Sequence, residues 1–397
     1  MKWVSAIATE ENLKDSVEQA TRAVLEQLDG LKPHLTVIFV STNFKQYYEA
    51  IPGMIQEWLE PGLLLGCSGA GIIGAGLEVE HKPAFSITAA HLPGVKLQSI
   101  YTDTVDLPDQ DTSPSVWRDW LGVRVEDRPH FIFLADPFSF RGEEFLAGVD
   151  FAYPESKKVG GLASGAHAPG GNALYLGDQI HTRGVIGIAL SGDIGVDTIV
   201  AQGCRPIGRP MKITRCENTL LQGLDGAIPM NLLQELHDSL SENDRKLMQT
   251  SLFLGIEMDP FNENPTQGDF LIRNLMGADR ETGAISIGAM LREGQLVQFH
   301  LRDKTMSAED LDLLLTRYRS EGKAEKASGA LLFSCLGRGQ YLYGCANHDT
   351  ELFRSKLGDI PLGGFFCNGE IGPVGGTTFL HGYTSSFGIF RPARIKD

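Results

Sequence analysis

Apolar and polar positions alternate from Trp3 to Ala8, which predicts a strand, and the period then changes. Leu13, Val17, Ala20, Val24 and Leu28 recur at spacings of four and three, the stripe of an amphipathic helix, with Thr9, Glu10 and Glu11 expected at its start. The same order returns at residues 97–101, where Ser113 is the expected cap and Pro114 the first helical residue before Val116, Trp117, Trp120 and Leu121. It returns again at 296–301, followed by a capping box from Ser307 to Asp310 and the stripe Leu311, Leu314, Leu315 and Tyr318. Each start leads to a second, more apolar strand, at 33–40, 129–134 and 329–334. A helix follows each, marked by Met54, Ile55, Trp58 and Leu59, by Phe145, Leu146 and Val149, and by Leu352, Phe353 and Leu357.

Each helix then runs into a glycine-rich turn: GCSGAGIIGAG at 66–76, GGLASGAHAPGG at 160–171 and GGFFCNGEIGPVGG at 363–376. His34 to Ser68 and His130 to Ser164 are the same distance apart. After each turn the pattern is strand again, at 84–91, 173–190 and 377–390, with no helix between. Strand, helix, strand, helix, turn and returning strands predict an α/β fold of mixed sheets flanked by helices, internally duplicated. A fainter copy is expected between Ser251 and Gly288. Four modules of about 100 residues would then fill the chain, as two tandem domains over 1–203 and 204–397.

Composition sharpens this picture. The chain has 397 residues, of which 46 are glycine. Eighteen of those lie in the windows 62–76, 160–177 and 363–376, so they mark the turns rather than a repetitive or disordered sequence. Fifty acids against 35 bases give a net charge of −15, with no basic cluster to dock a phosphate backbone, so a nucleic-acid partner is not expected. No run of 18 apolar residues is present and the N-terminus enters a strand directly, so neither a membrane span nor a signal peptide is expected, and a cytoplasmic location is. The six cysteines form no C-x-x-C pair and are expected to be reduced.

Gly69-Ala70-Gly71-Ile72-Ile73-Gly74 fits G-x-G-x-x-G, but no helical stripe follows and no acid stands at 88–92 for a ribose, so a nucleotide site is not expected. Nucleophile elbow, Walker loop and H-E-x-x-H are absent, and no enzymatic activity is expected. A Cys–His nucleophile assembled from Cys335, Cys345 or Cys367 with His348 or His381 is weaker than the reading of these thiols as small buried side chains. His167, His348 and His381, in or near polar glycine-rich segments, are the candidate haem ligands.

The C-terminal motif carries the most chemistry. Cys335-Leu336-Gly337-Arg338-Gly339 places a cation between glycines, and Gly363-Gly364-Phe365 through Asn368-Gly369-Glu370-Ile371 places an amide and an acid on a permissive loop, with Tyr383 and Thr384 on the returning strand. Two readings stand. In one, Arg338 and Glu370 form an internal ion pair that fixes the loop. In the other, Arg338 offers its planar fork to a ligand carboxylate while Glu370 or Asn368 takes an ammonium or amide, with Cys335, Tyr383, Thr384, Ser68 and Ser164 around the ligand.

At these residues, and in the strand-then-glycine pattern of the N-terminal half, the sequence resembles the FIST family, whose N and C domains occur in F-box and signal-transduction proteins. The resemblance implies a sensory module that binds a small ligand, amino acids being a proposed class, and that has no catalytic activity. Family members are often joined to F-box, kinase or chemotaxis modules. This chain has no room for one, so a separate signalling partner is expected. Some stand-alone members resemble haem-binding nitric-oxide sensors acting on histidine kinases, which makes haem the alternative ligand. A ligand-free protein-interaction adaptor is the remaining alternative.

Overall fold

A computed structural model describes residues 1–262 and 264–393. It falls into two compact units. One comprises Met1–Val200, Leu311–Leu380 and the described residues from Thr384 onward; the other comprises Ala201–Asp310 and His381–Tyr383. This cut differs from the sequence division at 203/204, because strands from the last quarter of the chain share a sheet with strands from the first half.

The larger unit contains three six-stranded mixed sheets. The first runs, in spatial order, Lys2–Ala8, Phe85–His91, Leu35–Ser41, Leu63–Gly69, Leu174–Leu176 and Gln179–His181. The second runs Thr377–His381, Glu370–Val374, Lys158–Leu162, His130–Ala135, Val185–Gly192 and Val95–Thr102. The third runs Gly195–Gln202, Thr384–Arg391, Gly329–Cys335, Leu362–Cys367, Gly71–Gly74 and Leu77–Glu80. At the centre of each is a parallel pair, in registers Leu35 to Leu63, Phe131 to Lys158 and Ala330 to Leu362. The crossovers within these pairs carry the helices Ile51–Trp58, Gly142–Ala152 and His348–Leu357.

The glycine-rich segments expected as turns are largely strand, and the hairpin within or after each leaves its own sheet. Residues 71–80 complete the third sheet, 174–181 the first and 370–381 the second, a cyclic exchange. The glycines permit the close approaches this requires. A Cβ on Gly161 would lie 2.4 Å from Cys367 Sγ, and one on Gly71 would lie 2.6 Å from the Phe366 ring.

Alternate residues of the central strands explain why these strands read as continuously apolar. Val37, Phe39, Ile132, Leu134, Leu331 and Phe333 join Leu65, Ile72 and Phe365 in one core shared by the three repeats. Their opposite faces lie under helices: Ile38 and Val40 under Val17, Val24, Leu28 and Ile55, and Phe131 and Phe133 under Trp117, Phe145 and Val149.

The internal duplication is therefore present, with a different count from the four modules expected. The repeats begin at the edge strands Lys2–Ala8, Val95–Thr102 and Gly195–Gln202. The third is interrupted by residues 201–310, so the start expected at 296–301 and the faint copy at 251–288 belong to the inserted unit. The insertion has about the length of one repeat, which preserved the apparent spacing. Two caps also differ. Asn12 Oδ1 accepts from the Lys14 N–H at 2.8 Å, and Asp303 Oδ1 from the Thr305 N–H at 2.8 Å, so Ser307 lies inside its helix rather than at its start.

The smaller unit is a closed six-stranded barrel of Cys204–Glu217, Leu220–Leu224, Leu252–Glu257, Phe270–Ala278, Ile285–Ile287 and Leu296–Arg302. Val297, Phe299 and Leu301 point into its core with Leu254, Ile256 and Ile213. Among the described residues no helix is long and apolar enough to cross a membrane.

Candidate functional site

The carboxyl ends of the third sheet's parallel strands gather most of the expected polar residues. Beyond Cys335 the chain turns into the short helix Gly339–Tyr343, aided by Gly339 at φ +64°, and then into the helix His348–Leu357. The exchanged strand Leu77–Glu80 docks against both helix starts. Glu80 Oε1 accepts from the Gln340 N–H at 2.8 Å, Glu78 Oε1 from the Thr350 N–H at 2.8 Å, and Asn347 Oδ1 from the Glu78 N–H at 2.7 Å. Carboxylates there satisfy helix N–H groups that have no partner within the helix.

Arg338 is fully buried, and its fork is closed by Asp349: Nε to Oδ2 at 2.8 Å and Nη2 to Oδ1 at 3.1 Å. Asp349, an acid outside both sequence readings, therefore takes the Nε/Nη2 edge of the fork. Tyr343 lies 5.6 Å from the guanidinium. Asp349 also accepts from Ser385 Oγ at 2.6 Å and meets His348 Nδ1 at 3.0 Å. Burial alone would raise the Asp349 pKa, but the Arg338 charge and these hydrogen bonds hold it well below the usual carboxylate range.

Glu78, 5% exposed, is the exception in this cluster. Its Oε2 is buried without a partner, and burial, followed by the negative charge of Asp349, pushes its pKa up to about 8. Between the ordinary value of 4.5 and about 8 the unfolded chain has released this proton and the folded chain has not, so stability falls as pH rises through that window. Glu78→Gln keeps an acceptor for Thr350 but does not titrate. It is expected to remove this part of the fall, read as denaturation midpoints from about pH 5 to about pH 9.

The remaining expected residues are placed as follows. Glu370 is buried, and its Oε2 accepts from Thr384 N at 3.2 Å and Thr384 Oγ1 at 2.9 Å. Cys335 is half-buried at its strand end, and Asn368 is exposed, its N–H bonded to Leu162 O. Ser68 and Ser164 stitch the repeats together. Ser164 Oγ donates to Phe366 O at 2.5 Å and accepts from Ala70 N at 2.9 Å, while Ser68 Oγ donates to Asn172, which donates in turn to Asp136. Tyr383 lies in the other unit, against Phe253 and Asn274.

Of the histidines, His167 is on an exposed loop, His348 stacks on Tyr343 with ring centres 3.5 Å apart, and His381 is buried. Among the described residues no group of three or more His, Cys, Asp or Glu side chains is arranged to hold a metal ion. Burial holds the Cys367 thiol well above its ordinary pKa, unlike an activated nucleophile. Gly71–Gly74 forms a strand, so the G-x-G-x-x-G match opens no phosphate-binding helix.

Sequence reasoning missed Glu78 and Asp349. Asp349 had a usable signal, the polar stretch Asn347-His348-Asp349-Thr350 at a helix start. Glu78 had only its alternation with Glu80 on a short strand.

A model of the FIST N domain matches residues 34–227, and one of the FIST C domain matches residues 232–373. An uncharacterized protein of Mycobacterium tuberculosis is 33% identical over 386 residues, which are 97% of this chain and 98% of that protein. An F-box/LRR-repeat protein of Arabidopsis thaliana is 25% identical over 170 residues, 38% of this chain and 31% of that protein. A solved cyanuric acid hydrolase aligns over 99% of this chain and all of its own at 8% identity and a TM-score of 0.36, a level at which no chemistry transfers.

Proposed function

Because the chain belongs to the FIST family and carries both its N and C domains, modules that bind small ligands in signal transduction, we propose that it is a sensor for an amino acid or other small amine that signals through a separate partner. The observation that carries this reading is the Glu78 carboxylate, buried with Oε2 unpartnered beside the Arg338–Asp349 pair. The Asp349 charge is balanced by Arg338, so an ionised Glu78 would leave one negative charge uncompensated. A ligand ammonium supplies both the missing donor and the missing charge. A bare carboxylate fits less well here, because the Arg338 fork is engaged.

The pKa of about 8 at Glu78 makes the mechanism specific. Below that value the carboxyl is protonated, so taking an ammonium expels one proton, and affinity rises with pH until Glu78 is ionised. The test is thermal shift and calorimetry of the full chain against the standard amino acids and methylamine. A ligand at a hundredfold excess over its Kd should add about 2.7 kcal/mol of stability. Heats measured in buffers of different ionisation enthalpy should show close to one proton released per ligand. Neither effect should survive in Glu78→Gln. If no amine raises the melting temperature, or if the response persists in Glu78→Gln, this reading is wrong.

A further inference from the structure

The barrel unit holds a second unsatisfied charge. Strand Leu296–Arg302 alternates strictly: Val297, Phe299 and Leu301 fill the barrel core, so Gln298, His300 and Arg302 face outward. On that outer face Arg302 stands opposite Cys204, and His300 stands opposite Phe253 on one side and Pro206 on the other. Cys204, Phe253, Phe270 and Ile272 form a buried apolar cluster there, with the partly buried Tyr383 packed against it. The His300 ring lies over Gly255, where a Cβ would come within 2.4 Å of it.

Arg302 is 8% exposed, and the Tyr383 ring lies 5.0 Å from its guanidinium. Its Nε and Nη2 are both buried without a hydrogen-bond partner. These two nitrogens form the side-on edge of the guanidinium. Two other arginines of this chain use the same edge to grip a carboxylate: Arg338 holds Asp349 at 2.8 and 3.1 Å, and Arg391 holds Asp197 at 2.8 and 3.1 Å. A buried guanidinium with that edge unfilled costs stability. His300 Nε2, two residues along the same face, is also buried without a partner, while Nδ1 is engaged by Gln298 O at 3.0 Å.

We propose that Arg302, backed by Tyr383 and the buried aromatic cluster beside it, is a binding site for a small organic carboxylate, taken bidentately on Nε and Nη2. The planar fork matches a carboxylate, and the rings of Tyr383 and Phe253 suit a flat or apolar ligand body. This site is separate from the one at Glu78 and does not depend on it.

The test uses the full chain with sodium acetate, sodium benzoate, inorganic phosphate and sodium chloride at matched ionic strength, read by thermal shift and calorimetry. Acetate or benzoate should raise the melting temperature of the wild type above the chloride control. Arg302→Met should abolish that response while melting at or above the wild-type temperature without ligand, because it removes a buried charge that lacks a partner. Arg302→Lys keeps the charge and loses the fork, and should weaken carboxylate binding at least about tenfold. Glu78→Gln should leave the carboxylate response unchanged. The proposal is overturned if neither carboxylate shifts the wild type, if phosphate alone does, if Arg302→Met retains the response, or if Arg302→Met melts well below wild type and Arg302→Lys restores it, which would make the charge structural.

Discussion

Asp349→Ala is expected to destabilise the protein by about 3–5 kcal/mol, read as a lower denaturant midpoint, because it leaves the fully buried Arg338 guanidinium without the carboxylate that closes its fork. The loss measures an uncompensated charge, not the net worth of the pair. The double variant Arg338→Met with Asp349→Leu is therefore expected to recover most of it, since two apolar side chains need no solvation. The pH dependence follows with a definite sign. The Asp349 pKa lies below its unfolded value of 3.8, so its contribution is present above that value and is lost as pH falls toward the folded pKa. Asp349→Ala should remove that part of the acid dependence. A single variant costing less than about 1 kcal/mol would show that the pair does not hold this corner of the sheet.

Gly160→Ala is the second substitution expected to act strongly. A Cβ at Gly160 would lie 1.8 Å from the carbonyl oxygen of Phe133, its partner in the parallel pair. That oxygen belongs to a central strand and has no side-chain freedom with which to move aside. The expected loss is about 3 kcal/mol or more, from overpacking against backbone. Gly364 occupies the matching position in the third repeat, 1.9 Å from Leu332 O, and should behave alike. Gly375→Ala serves as the comparison. It sits at φ +60° with nothing within 4 Å of its Cβ, and should cost only the roughly 1–2 kcal/mol of a left-handed residue. Gly160 and Gly364 also have positive φ, +155° and +157°, so the loss in urea denaturation beyond that of Gly375→Ala reports the close approach; equal losses at Gly160 and Gly375 would contradict the packing argument.

Much of the fold was legible because its signals are local. The stripe Leu13, Val17, Ala20, Val24 and Leu28 and the apolar central strands each lie within one window of sequence and became the elements expected, whereas the glycine-rich segments expected as turns are largely strand. The inserted barrel was not legible, because its strands carry the same apolar alternation as those of the repeats and its length mimics one more repeat. The site was legible only in part. The glycine-flanked setting singled out Arg338, Glu370 and Thr384 as polar residues to follow, and neither sequence reading included Asp349, which closes the fork of Arg338. Glu78 lies more than 250 residues before Arg338 and reaches it only because a hairpin crosses between sheets, which no periodicity within a window can report. Arg302 falls just past the strand expected at 296–301 and carried no signal of its own. What distinguishes it, two buried nitrogens without partners, exists only once the strand is packed.

The cyclic exchange of hairpins also bears on how the chain is made. Emerging N-terminus first, the ribosomal product completes its first sheet once residues 174–181 appear, but residues 71–80 have no sheet to join until Leu362–Cys367 is synthesised, where Gly74 pairs with Gly363. Strand Lys158–Leu162 likewise presents an open edge until Glu370–Val374 arrives. The larger unit therefore closes late, through pairings of very high sequence separation, and no single repeat is a self-sufficient folding unit. For most of its synthesis the chain carries an orphaned hairpin and an exposed strand edge, the situation in which nascent proteins depend on chaperones to avoid pairing with one another.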